Sequence, residues 1–169
     1  MQVSNMARSK AWMLTSHGGF SFAVGELAMV EYSIEAEIFP VPLTPKHCPA
    51  VAYWRRRFVP IINYGKLFDP QVNDDIRQIG VLAYQTQPHT PLQHVAIALD
   101  HSPRSIIVDD EQACELPMVF AYRYPDLAIS SFAFDGKTIP ILDIGYLCSA
   151  AFVTRQSSKK TQGRSGPGH

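Results

Sequence analysis

Hydrophobic and polar positions in this chain alternate in short runs, a pattern of β-strands separated by turns rather than of long helices. Residues 11–15 and 20–24 are two such runs around His17-Gly18-Gly19, so a β-hairpin is predicted there. The stretch 27–32 fits a strand or a helical turn equally well, and the prolines of 38–49 predict an extended crossing. Further strands are predicted at 51–54, 58–62, 79–84, 95–99, 105–108 and 129–134.

One predicted strand and the residues after it occur twice. Residues 58–68 read Phe-Val-Pro-Ile-Ile-Asn-Tyr-Gly-Lys-Leu-Phe, and 80 positions later residues 138–148 read Thr-Ile-Pro-Ile-Leu-Asp-Ile-Gly-Tyr-Leu-Cys. Each copy predicts a buried β-branched strand whose proline suits an edge, a strand start or a bulge. Asn63 and Asp143 are expected to end the strand by offering their side chains to nearby backbone N–H groups, before one short helical turn. The repeat predicts two structurally similar halves.

These observations predict an all-β fold of two small five-stranded β-barrels with short helices. A flexible N-terminal arm is expected at 1–11 and a folded domain at 12–154. Its first barrel is placed at about 12–72 and its second at about 76–152, with an exchange of strands between them left open. The composition of residues 155–169 is Ser, Lys, Gln and Gly, which predicts a disordered basic tail.

Charge and cysteine content narrow the function classes. The net charge is zero, and the three cysteines are odd in number without CxxC spacing, which favours a reducing compartment over a disulfide framework. No long apolar run follows the first basic residues, so neither a signal peptide nor a membrane span is expected. The sequence therefore predicts a cytoplasmic protein. Without the basic residues of the two ends, nine bases face fifteen acids, and this acidic body disfavours a nucleic-acid surface. Those residues are Arg8, Lys10, Arg155, Lys159, Lys160 and Arg164.

The stretch from Phe22 to Phe68 resembles the first half of CheW-like adaptor domains of bacterial chemosensory arrays. Where the family has an Asn-Leu-Arg-Gly turn before Val-Val-Pro-Val-Ile-Asp-Leu, this chain has Tyr53-Trp54-Arg55-Arg56 before residues 58–64. Residues 95–100 and the Asp135-Gly136 turn resemble the second half of the family. The chain departs from the family pattern at Tyr53, Arg56, Asn63 and Ser102.

The resemblance implies two SH3-like barrels with a hydrophobic groove between them, and a scaffold without catalytic activity, cofactor or metal. Its implied partners are the regulatory domain of a CheA-type histidine kinase and the cytoplasmic tip of a methyl-accepting chemoreceptor, in chemotaxis or type IV pilus (twitching) signalling. The residues it implicates in protein binding are Met29, Glu31, Trp54, Arg55 and Arg56. Arg55 is expected at a hairpin tip, while Trp54 is either an interface residue or a core residue that closes the barrel.

Other functions are weaker interpretations of the same residues. Tyr53, Trp54 and Arg55–Arg57 would suit a single-stranded nucleic-acid-binding barrel, with aromatic rings for bases and guanidinium groups for phosphates. Cys48 beside His47 does not suit a nucleophile and base, since neighbours in an extended segment point in opposite directions. A further set of potential metal ligands matches no ligand spacing: His89, His94, Asp100, His101 and Asp109.

Overall fold

The computed structural model describes residues 7–162, which form two curled β-sheets joined by loops and short helices. The strands are β1 (Arg8–Thr15), β2 (Ser21–Gly25), β3 (Met29–Ser33), β4 (Glu37–Pro40), β5 (Ala50–Trp54), β6 (Arg57–Ile62), β7 (Gln78–Tyr84), β8 (Gln93–Leu99), β9 (Arg104–Asp109), β10 (Ala128–Phe134) and β11 (Lys137–Leu142). The α-helices are α1 (Met118–Arg123), α2 (Ile144–Leu147) and α3 (Ala150–Gln162), and 3₁₀ turns lie at Glu26–Ala28, Tyr64–Leu67 and Asp110–Gln112.

The two sheets are built on the same plan. Sheet 1 has the strand order β10-β11-β2-β1-β9, and sheet 2 has the order β3-β7-β8-β6-β5-β4. In each sheet the hairpin that contains the repeat joins a second hairpin through a parallel contact, Ile61 with Ala96 in sheet 2 and Ile141 with Ala23 in sheet 1. Ile61 and Ile141 are equivalent positions of the repeat. The prediction of two similar barrels is therefore confirmed, although β4 adds a sixth strand to sheet 2.

The predicted barrels are not continuous in sequence, and the exchange of strands left open in the prediction is what the structure has. The divisions 12–72 and 76–152 cut across both sheets, because hairpin β1–β2 lies with the C-terminal strands and hairpin β7–β8 lies with β3–β6. The halves thus exchange hairpins. The physical reason is that each parallel contact joins strands that are distant in sequence. No local sequence pattern therefore determines which hairpin pairs with the proline strand of each sheet.

The repeated glycines are fixed by close backbone approach. A Cβ atom on Gly65 would lie 2.2 Å from the carbonyl oxygen of His17, and one on Gly145 would lie 3.2 Å from that of Gln85. Each short helix therefore sits against the loop that follows the first strand of the exchanged hairpin. The same glycine in both copies permits the same contact in both halves.

The equivalent residues Asn63 and Asp143 end their strands differently. Asp143 accepts a hydrogen bond from the backbone N–H of Tyr146, as expected of a cap. Asn63 makes no such cap and is fully buried, and its Nδ2 donates to the Asn73 carbonyl and to Asp74 Oδ1 at 3.0 Å each. The predicted capping role is correct for Asp143 and wrong for Asn63, which instead ties down the loop before β7.

Buried side chains form one cluster inside each sheet and a larger cluster between the sheets. The larger cluster joins the exchanged hairpins to the helices, so the two barrels fold around a shared core. Its largest fully buried members are Leu14, Phe22, Tyr64, Leu82, Ile97, Leu127, Leu147 and Phe152.

Both ends that were predicted to be disordered include residues that form regular elements. β1 begins at Arg8 because it pairs with β9 as far as Asp109, so the arm 1–11 is wrong for residues 8–11. α3 extends to Gln162, so the tail prediction is wrong for residues 155–162. Residues 1–6 of the predicted arm and 163–169 of the predicted tail lie outside the described residues. Phe152 holds α3 to the core, where it is buried against the ring of His47 at 5.3 Å.

Two ambiguous stretches are also settled. Residues 26–28 form a 3₁₀ turn that leads into β3, so 27–32 contains both a turn and a strand. The proline-rich segment begins with β4, an edge strand paired to β5, before it becomes irregular. Within residues 7–162 no helix has the length and apolar character needed to cross a membrane.

Candidate protein-binding surface

The hairpin tip between β5 and β6 is formed by Arg55 and Arg56, both with positive φ angles of 46° and 67°. Such angles at both central residues define a type I′ turn, for which Asn-Gly or Asp-Gly is preferred. The equivalent tip of sheet 1 is Asp135-Gly136, with φ angles of 49° and 73°. Arginine at the second position is strained by roughly 1 kcal/mol relative to glycine. Two arginines therefore project from the tip at some cost in stability.

Trp54 points into sheet 2 and is only 7% exposed, so it is the core residue that closes this end of the barrel. Its ring is covered by two guanidinium groups, that of Arg55 at 4.6 Å and that of Arg57 at 5.7 Å from the ring centroid. The ring of His94 lies 5.0 Å away on β8. A ring enclosed in this way has no free face on which a nucleic-acid base could stack.

Glu31 connects the hairpin tip to β3. Its Oε2 accepts a hydrogen bond from Trp54 Nε1 at 2.7 Å and lies 3.3 Å from Arg55 Nη2 in an ion pair. The Arg55 and Glu31 side chains are 60% and 41% exposed, so the pair is open to solvent. Three of the five residues implicated in protein binding thus form one surface cluster, the Glu31–Trp54–Arg55 cluster.

The other two implicated residues lie apart from this cluster. Arg56 is exposed at the tip and makes no hydrogen bond or ion pair with the described residues. Met29 is half-buried and lines a groove of about 320 Å³ between β1, β3 and the loop after β8. The β-bulge between Met29 and Glu31 turns this end of β3 away from regular pairing. The groove is lined by Trp12, Met29, Val30, Tyr32, Ser102 and Pro103.

The surroundings of the cluster are positively charged. Burial lowers the pKa of His94, and Arg57 and Arg55 lower it further by charge repulsion. Protonation of His94 is therefore disfavoured, because it would add a third cation beside the two guanidinium groups. His94 and Arg57 were missed by the sequence analysis. The pairing of β6 with β8, which brings them together, has no local sequence signal.

The residues of the rival interpretations do not assemble into reactive sites. Within residues 7–162 no group of three or more His, Cys, Asp or Glu side chains converges to hold a metal ion. Burial raises the pKa of Cys48 and lowers that of His47, and each change opposes a thiolate–imidazolium pair. The His47 ring instead packs edge-on against Phe152.

Comparison with known proteins bears on the fold. No family model matches the chain, and no curated protein matches it in sequence. The structure is similar to the crystal structure of the scaffolding protein TtCheW from Thermoanaerobacter tengcongensis, with a TM-score of 0.65 and 15% sequence identity. The match covers 89% of this chain and 94% of that one. The chain therefore has the CheW-like fold of two SH3-like subdomains.

Proposed function

We propose that this protein is a non-catalytic cytoplasmic adaptor that couples a chemoreceptor to a CheA-type histidine kinase, in chemotaxis or in type IV pilus signalling. The observation that carries the proposal is the likeness to a scaffolding protein over nearly the whole of both chains. Within that fold, the polar and aromatic residues of sheet 2 gather on the surface instead of around a cavity with catalytic groups. Such a surface suits a protein that holds partners together.

The Glu31–Trp54–Arg55 cluster supports a contact with the kinase regulatory domain. Glu31 and the Trp54 ring hold the Arg55 guanidinium in place, and part of it faces solvent. An arginine has five N–H donors, so Arg55 keeps several for a partner carboxylate while one faces Glu31. A side chain already held in place loses less conformational entropy on binding.

The groove beside Met29 supports a separate contact with the receptor tip. It lies between the two sheets, where binding sites are common, and its lining is mainly apolar. At about 320 Å³ it has room for a few side chains from one face of a helix. The two surfaces would let one adaptor hold both partners at once.

Titration calorimetry of the purified chain with the regulatory domain of a CheA-type kinase from the same genome tests the proposal. We expect binding that Arg55→Glu weakens about thirtyfold, because the new carboxylate repels both Glu31 and an acidic partner residue. Arg77→Glu is the matched control, since Arg77 is an exposed arginine in the loop before β7 and, like Arg55, forms an ion pair with one acid, Asp75. If neither the kinase domain nor a receptor tip fragment binds at 100 μM (about −5.5 kcal/mol), the proposal is wrong.

A further inference from the structure

Three aromatic side chains are exposed together on the outer side of sheet 2. Phe39, Tyr53 and Phe58 are 44%, 43% and 62% exposed, and they lie on three adjacent strands, β4, β5 and β6. The Phe58 ring centroid is 5.2 Å from that of Tyr53 and 5.9 Å from that of Phe39. We call this set the aromatic face. All three side chains are open to solvent.

The internal repeat shows that folding does not require this face. Tyr53 pairs with Phe58 across the β5–β6 hairpin, and Ala133 pairs with Thr138 at the equivalent place in β10–β11. Near the tip both hairpins have the same register and the same kind of turn, and each makes a parallel contact at the equivalent residue, Ile61 or Ile141. Ala133 and Thr138, a small residue and a polar one, are thus sufficient for the sister hairpin, β10–β11, to form. The two aromatic residues at solvent-facing positions need a reason other than stability of the hairpin.

Charges at the rim point to a second copy of the same chain as the occupant. Glu37 lies beside Tyr53 on the same outer side, and Arg56 lies at the neighbouring tip. Neither makes an ion pair with the described residues. A two-fold axis parallel to β5 places β4 of each copy over β6 of the other. Glu37 of each copy then approaches the Arg56 end of its partner, and Phe39 lies over Pro60. The face is therefore complementary to itself in both apolar surface and charge.

The exposed area and the edge strand indicate that the pairing is weak and face to face. A fully exposed aromatic side chain presents ~200 Å². At the exposed fractions given above, the three side chains together expose roughly 300 Å² per copy. That is well below the ~800 Å² per partner of a standard interface, so the contact is weak. Pairing through the free edge of β4 is disfavoured, because Pro40 and Pro42 cannot donate to a neighbouring strand. The net charge of zero leaves no overall repulsion between copies.

We propose that the aromatic face is a self-association surface, through which two copies of this chain form a weak, two-fold symmetric pair. The pairing does not depend on the receptor or the kinase and is measured on this chain alone. Its failure would leave the adaptor proposal standing, and failure of the adaptor proposal would leave this one standing.

Sedimentation velocity from 10 μM to 1 mM tests the pairing, with an expected dissociation constant in the range of about 0.1–1 mM. The variant Tyr53→Ala/Phe58→Thr places the sister hairpin's residues on the face. We expect it to be monomeric throughout and to keep the melting temperature of the wild type within a few degrees. Ile129→Ala removes a comparably exposed apolar side chain from sheet 1 and should leave the association unchanged. A wild-type chain that is monomeric at 1 mM overturns the proposal, as does a double variant that associates like wild type.

A charge-swap experiment tests the two-fold arrangement. Arg56→Glu gives copies with two acids on the rim, and Glu37→Arg gives copies with two bases, so each variant alone should associate at least tenfold more weakly. An equimolar mixture should recover wild-type association, because every rim contact then joins an acid to a base. A mixture no stronger than the separate variants would overturn the proposed symmetry.

Discussion

Removal of the Glu31 carboxylate tests whether the cluster at the hairpin tip stabilises the fold. In Glu31→Ala, the Trp54 indole N–H loses its acceptor at 2.7 Å while the ring stays buried. A buried donor left without a partner costs about 1–3 kcal/mol. The ion pair with Arg55 adds less than about 0.5 kcal/mol, since both side chains are well exposed and screened by solvent. We therefore expect a loss of about 2 kcal/mol in the free energy of unfolding.

The matched variant is Glu31→Gln, which keeps an oxygen acceptor for the Trp54 N–H and removes only the charge. We expect it to lose less than about 0.5 kcal/mol. Guanidinium unfolding followed by far-ultraviolet circular dichroism measures both variants without interference from the emission of Trp12. For a chain of this length, a loss of about 2 kcal/mol lowers the melting temperature by about 4–8 °C.

Two results would refute this reasoning. Glu31→Ala within about 0.5 kcal/mol of wild type would show that water replaces the carboxylate at Trp54 without cost. An equal loss in Glu31→Gln would show that the charge matters and the hydrogen bond does not. If Glu31→Gln folds like wild type and still binds the kinase regulatory domain more weakly, the charge of Glu31 acts in binding, either by direct contact or by holding Arg55 in place.

Three further predictions follow from buried or strained residues. Asn63→Asp should lower the free energy of unfolding by about 3 kcal/mol, because it removes two hydrogen bonds and places a buried carboxylate beside Asp74. The control Asp143→Asn keeps the oxygen that accepts from the Tyr146 N–H and should lower it by less than about 1 kcal/mol, and chemical denaturation measures both. Arg56→Gly should raise the free energy of unfolding by about 0.5–1 kcal/mol, because it relieves the positive φ angle, whereas Arg56→Ala should not. Burial lowers the pKa of His47 below its ordinary 6.5, so stability should be complete above pH 6.5 and fall as the pH drops through the lowered pKa. Unfolding curves between pH 5 and 8 (the window in which histidine titrates) should show a smaller loss in His47→Leu.

The repeat made the architecture of each half predictable from sequence. Its proline strand, its glycine and its short helix lie at equivalent places in the two sheets, since each glycine meets a backbone carbonyl of the exchanged hairpin. Turn chemistry was predictable for Asp135-Gly136, whose residues suit positive φ angles. The Arg55-Arg56 tip has the same geometry with unsuitable residues, and the repeat offset identifies it as a turn.

The exchange of hairpins and the length of α3 were not predictable from local pattern. The parallel contacts at Ala23 and Ala96 are made by residues far away in sequence, and either hairpin has the alternation to fill either place. The polar composition of α3 suggested disorder, yet Phe152 in its first turn is buried in the shared core. A single well-placed aromatic residue outweighs the average composition of such a helix.

Of the five residues implicated in protein binding, three lie together in the structure, and their arrangement could not be predicted from the sequence. The resemblance implicated Glu31, Trp54 and Arg55, and the structure brings these three together. Trp54 is buried and Glu31 accepts its hydrogen bond. Both features depend on the distance between β3 and β5, which are not neighbours in sheet 2. His94 enters through β8 for the same reason.

The central claim, that this chain is an adaptor between receptor and kinase, is tested most directly by kinase activity. A CheA-type kinase and a receptor cytoplasmic fragment from the same genome are combined with and without this chain, and the rate of kinase autophosphorylation is measured. The account predicts that the receptor changes the rate at least tenfold only when the chain is present, and that Arg55→Glu removes this dependence while Arg77→Glu does not. An equal rate with and without the chain, at concentrations where all three proteins are folded, would contradict it.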